Sequence, residues 1–182
     1  MRAYYYDNLP GDQRLAHDSG SSVPPSTLEQ LGVHYWNIPV HDGGEFDVKE
    51  VDAIAREREY KNRDVINVSK EGLGEAYEAK IKMFFEEHMH EDEEIRYILG
   101  GSGFFDVREH PTDNWIRIAM EPGDMIVLPA GIYHRFTLDE RNVIKAMRLF
   151  KDEPKWTPYN RGASTDENPI RHDYLRAIGV GA

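Results

Sequence analysis

Three histidines and one glutamate lie in two short segments and have the spacing of a metal site. His88, His90 and Glu94 form the pattern H-x-H-x3-E, and His134 follows in a second segment. Residues two apart in a strand point to the same face, so His88 and His90 can reach one ion together. Glu94 keeps the same parity if the strand resumes after a bend, and the fourth ligand then comes from a neighbouring strand. The spacing therefore predicts one metal ion per chain.

The donor set restricts which metal such a site would hold. The chain has 182 residues and no cysteine, so only His, Asp and Glu side chains can serve as ligands. This disfavours a thiolate zinc site and favours Fe, Ni, Mn or Co. Four protein ligands would either close a tetrahedral structural site or leave two octahedral positions open for a substrate. The sequence leaves both alternatives open.

Composition excludes several classes of partner. The formal net charge is −11, which disfavours binding to nucleic acid or to anionic membranes. No apolar run approaches the ~18 residues of a membrane span, and the first residues lack an apolar signal-peptide core. We therefore expect a cytoplasmic monomer without nucleic-acid or membrane partners. A second, non-enzymatic role in a nucleus stays open.

The second half of the chain has the pattern of an antiparallel β protein. Short segments rich in strand formers alternate with turn signals such as Pro111, Gly123 and Pro129. This pattern predicts a mainly β fold, an antiparallel β-barrel or jelly roll with a few peripheral helices. The predicted strands cover residues 94–99, 104–108, 115–120, 125–128, 134–138 and 143–150.

The first half and the tail are predicted less regularly. Asp47 is a good N-cap for a helix whose apolar stripe includes Val51 and Ile54, with the charged run 56–63 at its solvated end. A second helical pattern begins at about residue 75 and must end near His88. The remaining predictions are an edge strand starting at 2–6, a loop at 11–26, a strand at 33–39, and an extended tail with a short apolar piece at 174–180. One domain, 1–182, follows, with N-terminal strands and helices at about 1–85, a metal-binding core at 86–150 and a C-terminal wrap at 151–182.

Both ligand segments resemble the two sequence motifs of the cupin family. The first motif is a histidine pair, a glutamate and a glycine, matched here by His88, His90, Glu94 and Gly101. The second is G-x5-P-x-G-x2-H, matched at the end by His134; Leu138 stands where the motif usually ends in Asn. The two motifs occur in order and at a plausible separation, so the resemblance implies a cupin-type antiparallel β-barrel or jelly roll with a metal site.

A closer resemblance is to acireductone dioxygenases. It is carried by residues 80–99, by Leu-Pro-Ala-Gly-Ile-Tyr-His-Arg-Phe at 128–136, by Lys-Ala-Met-Arg-Leu-Phe at 145–150, and by an N-terminal start typical of the eukaryotic members. It implies an acireductone substrate with a methylthio tail, O2 as co-substrate, and Fe(II) or Ni(II) as cofactor. In that family, Fe(II) leads to 4-methylthio-2-oxobutanoate and formate. Ni(II) leads to methylthiopropionate, formate and carbon monoxide.

An anionic ene-diolate substrate would need further groups around the metal. Arg96 shares strand parity with Glu94, and Arg148 lies in the last predicted strand, so both are candidate catalytic cations. Glu87, next to the ligand run, is a candidate base. The methylthio tail needs an apolar wall, for which the candidates are Phe84, Phe136 and Trp156.

Two other functions keep the same ligands. A different cupin enzyme, another dioxygenase or a metal-dependent isomerase, would change the wall of the cavity. A non-enzymatic cupin would use the metal for structure alone and would turn over no substrate. The match around both ligand segments favours the dioxygenase.

Overall fold

Two antiparallel sheets of seven and five strands make up most of the structure, a computed structural model that describes residues 1–180. The last two residues of the predicted domain and of its C-terminal wrap lie outside the described residues. The strands are β1 (Arg2–Tyr6), β2 (Asp18–Ser22), β3 (His34–Asn37), β4 (Asn62–Ser69), β5 (His88–Met89), β6 (Glu94–Gly101), β7 (Gly103–Arg108), β8 (Trp115–Met120), β9 (Asp124–Leu128), β10 (His134–Leu138), β11 (Val143–Phe150) and β12 (Tyr159–Asn160). The helices are α1 (Pro25–Gln30), α2 (Val48–Glu57), α3 (Lys70–Leu73), α4 (Tyr77–Phe84), α5 (Ala163–Asp166) and α6 (Pro169–Ala177), with a 3-10 turn at Gly74–Ala76.

The strand order is that of a jelly roll with two separate sheets. The larger sheet runs β12-β5-β10-β7-β8-β1-β2, and the smaller runs β3-β9-β6-β11-β4. The predicted mainly β fold is confirmed as a jelly roll, and the sheets do not close into a barrel. All six strands predicted in the second half are present, with ends shifted by at most two residues.

Strand alternation divides the five-stranded sheet into two faces. Ile95 and Tyr97 of β6 pack with Val51 and Ile54 of α2 in an outer apolar cluster. Ile98 of β6 belongs instead to the main core between the sheets. Because residues two apart share a face, Glu94 and Arg96 lie on the same inner face as Ile98. The β pattern thus places a carboxylate and a guanidinium between the sheets.

The predicted first helix is confirmed, and its cap is the predicted one. Asp47 accepts hydrogen bonds from the backbone N–H groups of Lys49 and Glu50 at the start of α2. Val51 and Ile54 are buried. The second predicted helix corresponds to α4, which ends before His88 as required. No helix among the described residues is long and apolar enough to cross a membrane.

Three predictions for the first half are wrong, because pairing with distant strands decides the conformation of these segments. β1 is an interior strand between β8 and β2, where an edge strand was predicted. β2 lies inside the predicted loop 11–26; all its residues are exposed, so the sequence carries no apolar alternation there. β4 begins within the charged run predicted to continue α2, and it pairs with β11 along its whole length.

The C-terminal segment is folded rather than only extended. β12 pairs with β5, and α5 and α6 follow. Arg171 of α6 donates to the carbonyl oxygen of Gly131, and the Tyr174 hydroxyl donates to the carbonyl oxygen of Leu31. The segment therefore joins the two-sheet body next to the strand that carries His88.

Candidate metal centre

The structure brings the four predicted metal ligands together. His88 opens β5 and His134 opens β10, where the two residues are direct register partners. Glu94 opens β6 in the other sheet, and the segment 91–93 makes the bend between them. One side-chain donor atom from each of His88, His90, Glu94 and His134 lies within 4.8 Å of the others. The predicted cross-strand origin of the fourth donor holds in the structure.

Backbone carbonyls orient all three imidazoles. The Nδ1 atom of His88 lies 2.7 Å from the carbonyl oxygen of Glu86, that of His90 lies 3.1 Å from Thr157, and that of His134 lies 3.0 Å from Ile132. A carbonyl only accepts, so each Nδ1 carries the hydrogen, and a neutral ring then presents its Nε2 lone pair. Three Nε2 atoms are thereby available as ligands.

The spacing of the donor atoms fits a bound cation. Glu94 Oε2 lies 3.1 Å from His90 Nε2 and 3.2 Å from His134 Nε2. When both rings are neutral, these contacts place lone pairs against a carboxylate, which is unfavourable unless a positive charge lies between them. An ion about 2.1 Å from each donor would separate neighbouring donors by roughly 3.0 Å at right angles. The residues present therefore fit a divalent metal.

Burial and neighbouring charges shift the pKa values of three of the four donor residues. Burial, with the neighbouring ring of His134, lowers the pKa of His88 to about 4, so this ring is neutral at neutral pH. Burial opposes ionisation of Glu94, but the charge of Arg96 and the adjacent rings hold its pKa well below the ordinary value. Burial also acts to lower the pKa of His90, but contact with Glu94 outweighs it and raises that pKa.

Arg96 is held beside the ligand carboxylate. Its Nη2 lies 3.2 Å from Glu94 Oε1, and its Nη1 donates to the carbonyl oxygen of Ile95. Only 17% of its side chain is exposed. The structure thus places Arg96 on the inner face, as strand parity predicts.

Arg148 lies directly across from Arg96 in the register of β11 and β6. Its charge is matched by Asp64 of β4, which accepts from Nε at 2.8 Å and from Nη2 at 2.5 Å. Its guanidinium carbon lies 4.6 Å from the centre of the Trp156 ring. Arg96, Arg148 and Asp64 therefore form one cross-strand row next to the donor cluster.

Glu87 occupies a different environment from the other candidates. Arg108 donates to both of its carboxylate oxygens, at 2.8 and 2.9 Å, and Arg161 donates to one at 2.8 Å. Burial would raise the pKa of Glu87, but these two arginines lower it below the ordinary value. A base role for Glu87 stays a prediction, and these contacts do not favour it, because an ion-paired carboxylate is a weak base.

A cavity of about 730 Å³ opens from the donor cluster into the space between the sheets. This size is typical of small-molecule sites. The cavity is lined by the four donor residues together with Arg96 and Arg148. Its lining also includes the three predicted wall residues, Phe84, Phe136 and Trp156. Glu86 is among the lining residues and Glu87 is not. The arrangement joins the donor cluster and two arginines to an apolar wall.

Several cavity residues were not predicted from sequence. β4 was not predicted, because it begins in the charged run. It contributes Ile66 and Val68 to the cavity wall, and its Asp64 accepts a hydrogen bond from Arg148. These three residues are spaced two apart, and this alternation is the sequence signal from which β4 could have been predicted. Five more lie in strands or a helix that were predicted, namely Met83, Ile98, Phe105, Ile144 and Ala146. Glu86, Pro158 and Asn160 lie outside the predicted strands and helices.

Comparisons with known proteins agree with this geometry. A model of the ARD/ARD' family matches residues 2–158. Acireductone dioxygenase 1 of Coprinopsis cinerea is 66% identical over 182 residues, which is 100% of both chains. The acireductone dioxygenase of Phaeosphaeria nodorum is 60% identical over 176 residues, covering 97% of this chain and 96% of the relative. The similarity therefore extends over both sheets and the donor cluster.

A solved structure has the same fold. An acireductone dioxygenase from Bacillus anthracis with a cadmium ion in its active centre aligns with a TM-score of 0.67 and 22% sequence identity. The alignment covers 86% of this chain and 96% of the other. The two-sheet arrangement is thus shared at low sequence identity.

Proposed function

Because the chain belongs to the ARD/ARD' family, we propose that it is an acireductone dioxygenase, a metal-dependent oxidoreductase that consumes O2. The substrate is an acireductone with a methylthio tail, 1,2-dihydroxy-3-keto-5-methylthiopentene, a compound of methionine salvage. The Fe(II)-loaded protein converts it to 4-methylthio-2-oxobutanoate and formate, and the Ni(II)-loaded protein to methylthiopropionate, formate and carbon monoxide.

One observation carries this proposal: the donor cluster opens onto the large cavity. A metal used only for structure needs no adjoining space, whereas a substrate does. His88, His90, Glu94 and His134 would hold the ion, which would supply Lewis-acid and redox chemistry when bound. The two alternatives, a different cupin enzyme and a purely structural metal site, receive no comparable support.

The arginines provide charge for an anionic substrate. Arg96 and Arg148 lie side by side in the register, and each is balanced by one carboxylate, Glu94 or Asp64. A divalent ion would add two positive charges to this balanced set. An ene-diolate would then enter a site with surplus positive charge in an environment of low polarity, where such attraction is strong.

The wall residues exclude water and hold the tail. Phe84 and Phe136 have ring centres 6.3 Å apart, and Phe136 lies 4.9 Å from Phe105. Trp156 stands over Arg148, so it covers both the charged row and the start of the apolar wall. These aromatic side chains would bind the methylthio group by burial of apolar surface.

The decisive experiment uses metal-stripped protein reloaded separately with Fe(II) and Ni(II). Freshly generated acireductone and O2 are added, and oxygen uptake and carbon products are measured. Keto acid from the iron form and carbon monoxide from the nickel form would support the proposal. No turnover above the non-enzymatic rate with either metal would reject it and favour the isomerase or structural alternatives.

The proposal also covers metal stoichiometry, oligomeric state, partners and localisation. We expect one ion per chain, a cytoplasmic monomer, and no nucleic-acid or membrane partner, which is consistent with the charge of −11. A dimer in light scattering at micromolar concentration would contradict the monomer. Localisation of the tagged full chain tests for a nuclear fraction.

A further inference from the structure

The inner face of the five-stranded sheet is ordered by polarity along the strands. The first row carries the ligand Glu94, and the second is the charged row of Arg96, Arg148 and Asp64. The third row is apolar, with Ala146 in register with both Ile98 and Ile66. The fourth pairs Ile144 with Val68. Every residue of the third and fourth rows lines the same cavity as the donor cluster.

The apolar rows extend beyond the reach of a methylthio tail. At about 3.3 Å per residue, the Ile98 row lies roughly 13 Å along β6 from Glu94. Ile144 lies two residues beyond Ala146 in β11, so the fourth row is roughly 20 Å along the sheet from Glu94. An extended substrate of about ten non-hydrogen atoms spans roughly 10 Å. A substrate held at the donor cluster therefore ends near Ala146 and leaves the Ile144–Val68 row uncovered.

We propose that the cavity accepts acireductones whose unbranched apolar tail is several methylene groups longer than methylthioethyl. The added length lies past Ala146, against Val68 and Ile144. This inference rests on the proposed function and extends its substrate class to long-chain alkyl and alkylthio acireductones. The cavity volume of about 730 Å³ is sufficient for such a ligand.

Ala146 is the residue that permits this extension. It stands between Ile66 and Ile98 in the register and is 3% exposed, while its neighbours Met147 and Lys145 face the other way. Its small side chain lines the cavity between the third and fourth rows. A phenyl ring at this position would take up cavity space between the third and fourth rows, and the donor Glu94 lies two rows away. Ala146 is therefore a specificity-determining residue for tail length.

The test compares two substrates with the Fe(II)-loaded full chain. One carries the methylthioethyl tail, and the other an unbranched octyl tail on the same ene-diol ketone. We expect kcat/KM for the octyl substrate to equal or exceed that for the methylthio substrate, since each buried methylene adds at most about fourfold. A fall of more than threefold overturns the proposal. No turnover of the methylthio substrate would instead reject the proposed function itself.

Substitutions at Ala146 test whether the longer substrate tail lies past this residue. Ala146→Phe should lower the octyl-to-methylthio ratio of kcat/KM at least tenfold, and an unchanged ratio overturns the path past Ala146. The matched control, Val65→Phe, adds a ring to an exposed side chain of β4, outside the cavity lining, and should leave the ratio unchanged. If Ala146→Phe binds less than one metal ion per chain, Ala146→Val replaces it, with an expected fall of at least threefold and the same contradicting result.

Discussion

Arg148 and Asp64 face each other across β11 and β4 and form a two-point ion pair, with contacts of 2.8 and 2.5 Å. This geometry fixes the plane of the guanidinium, while Trp156 lies against its face. Removing the charge of Asp64 should loosen Arg148. We expect Asp64→Asn to raise KM for the acireductone about threefold to tenfold, since a partly exposed charged pair contributes roughly 1 kcal/mol. Metal content should stay at one ion per chain.

The control for this variant removes the ion pair of the residue next to Asp64, Arg63. Arg63 pairs with Asp52 on the other side of β4. Asp52→Asn removes a comparable ion pair that has no contact with the cavity lining, so its KM should equal that of the unmodified protein. Equal effects of the two substitutions would show that Asp64 acts only on the stability of the strand.

A second prediction concerns ligand identity. His134→Ala should weaken metal binding at least about 100-fold, because it removes the donor that lies opposite His88. Metal-to-protein ratios after gel filtration measure this effect. His172→Ala, which changes an exposed histidine of α6, should retain full metal content. Full stoichiometry in His134→Ala would remove His134 from the ligand set.

Metal removal should lower thermal stability. An ion that binds only the folded state at 1,000 times its Kd adds about 4 kcal/mol, which corresponds to roughly 8–16 °C in Tm for a chain of this size. Calorimetry of stripped and reloaded protein measures the difference. At the same ion concentration, a 100-fold weaker site in His134→Ala would keep about 1.4 kcal/mol of this stabilisation, so the shift in Tm should fall to about a third. Identical Tm values for stripped and reloaded protein would mean that the ion does not bind selectively to the folded state.

A buried ion-pair network on the opposite face of the seven-stranded sheet should be essential to stability. Asp106 accepts from Arg117 at 2.7 and 3.0 Å and from Arg135 at 2.7 Å, and it is 1% exposed. Asp106→Asn leaves two guanidinium groups without their charge partner and should cost about 3–5 kcal/mol in urea unfolding. Asp152→Asn, at an exposed pair with Lys61, should cause no measurable change.

The attachment of the C-terminal helix depends on a glycine. Gly131 has φ of +84°, and a Cβ there would lie 2.6 Å from the carbonyl oxygen of Ile170 and 2.8 Å from Tyr174 Cβ. Gly131→Ala should therefore displace α6 and lower the free energy of unfolding by about 2–4 kcal/mol. Gly20→Ala is the control, since Gly20 has φ of +81° with nothing within 4 Å of the added Cβ. Equal losses would assign the whole effect to backbone strain.

The sequence predicted those parts of the fold and of the site that depend on short, local sequence patterns. The six strands of the second half are apolar segments bounded by Gly and Pro turns, and each prediction is confirmed within two residues. The four donors share strand parity and known motifs, and the structure brings them together. Arg96 and Arg148 were expected on the inner face for the same reason, and both line the cavity.

The remaining features depend on contacts between distant segments. β2 is polar and exposed, so only its pairing with β1 makes it a strand. β4 begins in a charged run, and its pairing with β11 decides its conformation. The length of the cavity depends on the register between β4 and β11, which sets which of their residues lie side by side. No local sequence pattern contains that register. The arginines around Glu87 come from β7 and from the chain after β12, both far from it in sequence.

The hydrogen bond between His90 Nδ1 and the carbonyl oxygen of Thr157 joins residues 67 positions apart. A peptide spanning residues 86–94 would contain three of the four donors and would lack this contact, His134 and both sheets. Such long-range closure is slow, because loop entropy is lost before the contacts form. The donor geometry therefore requires the segment that follows β11 to be in place, and it is a property of the completed chain topology.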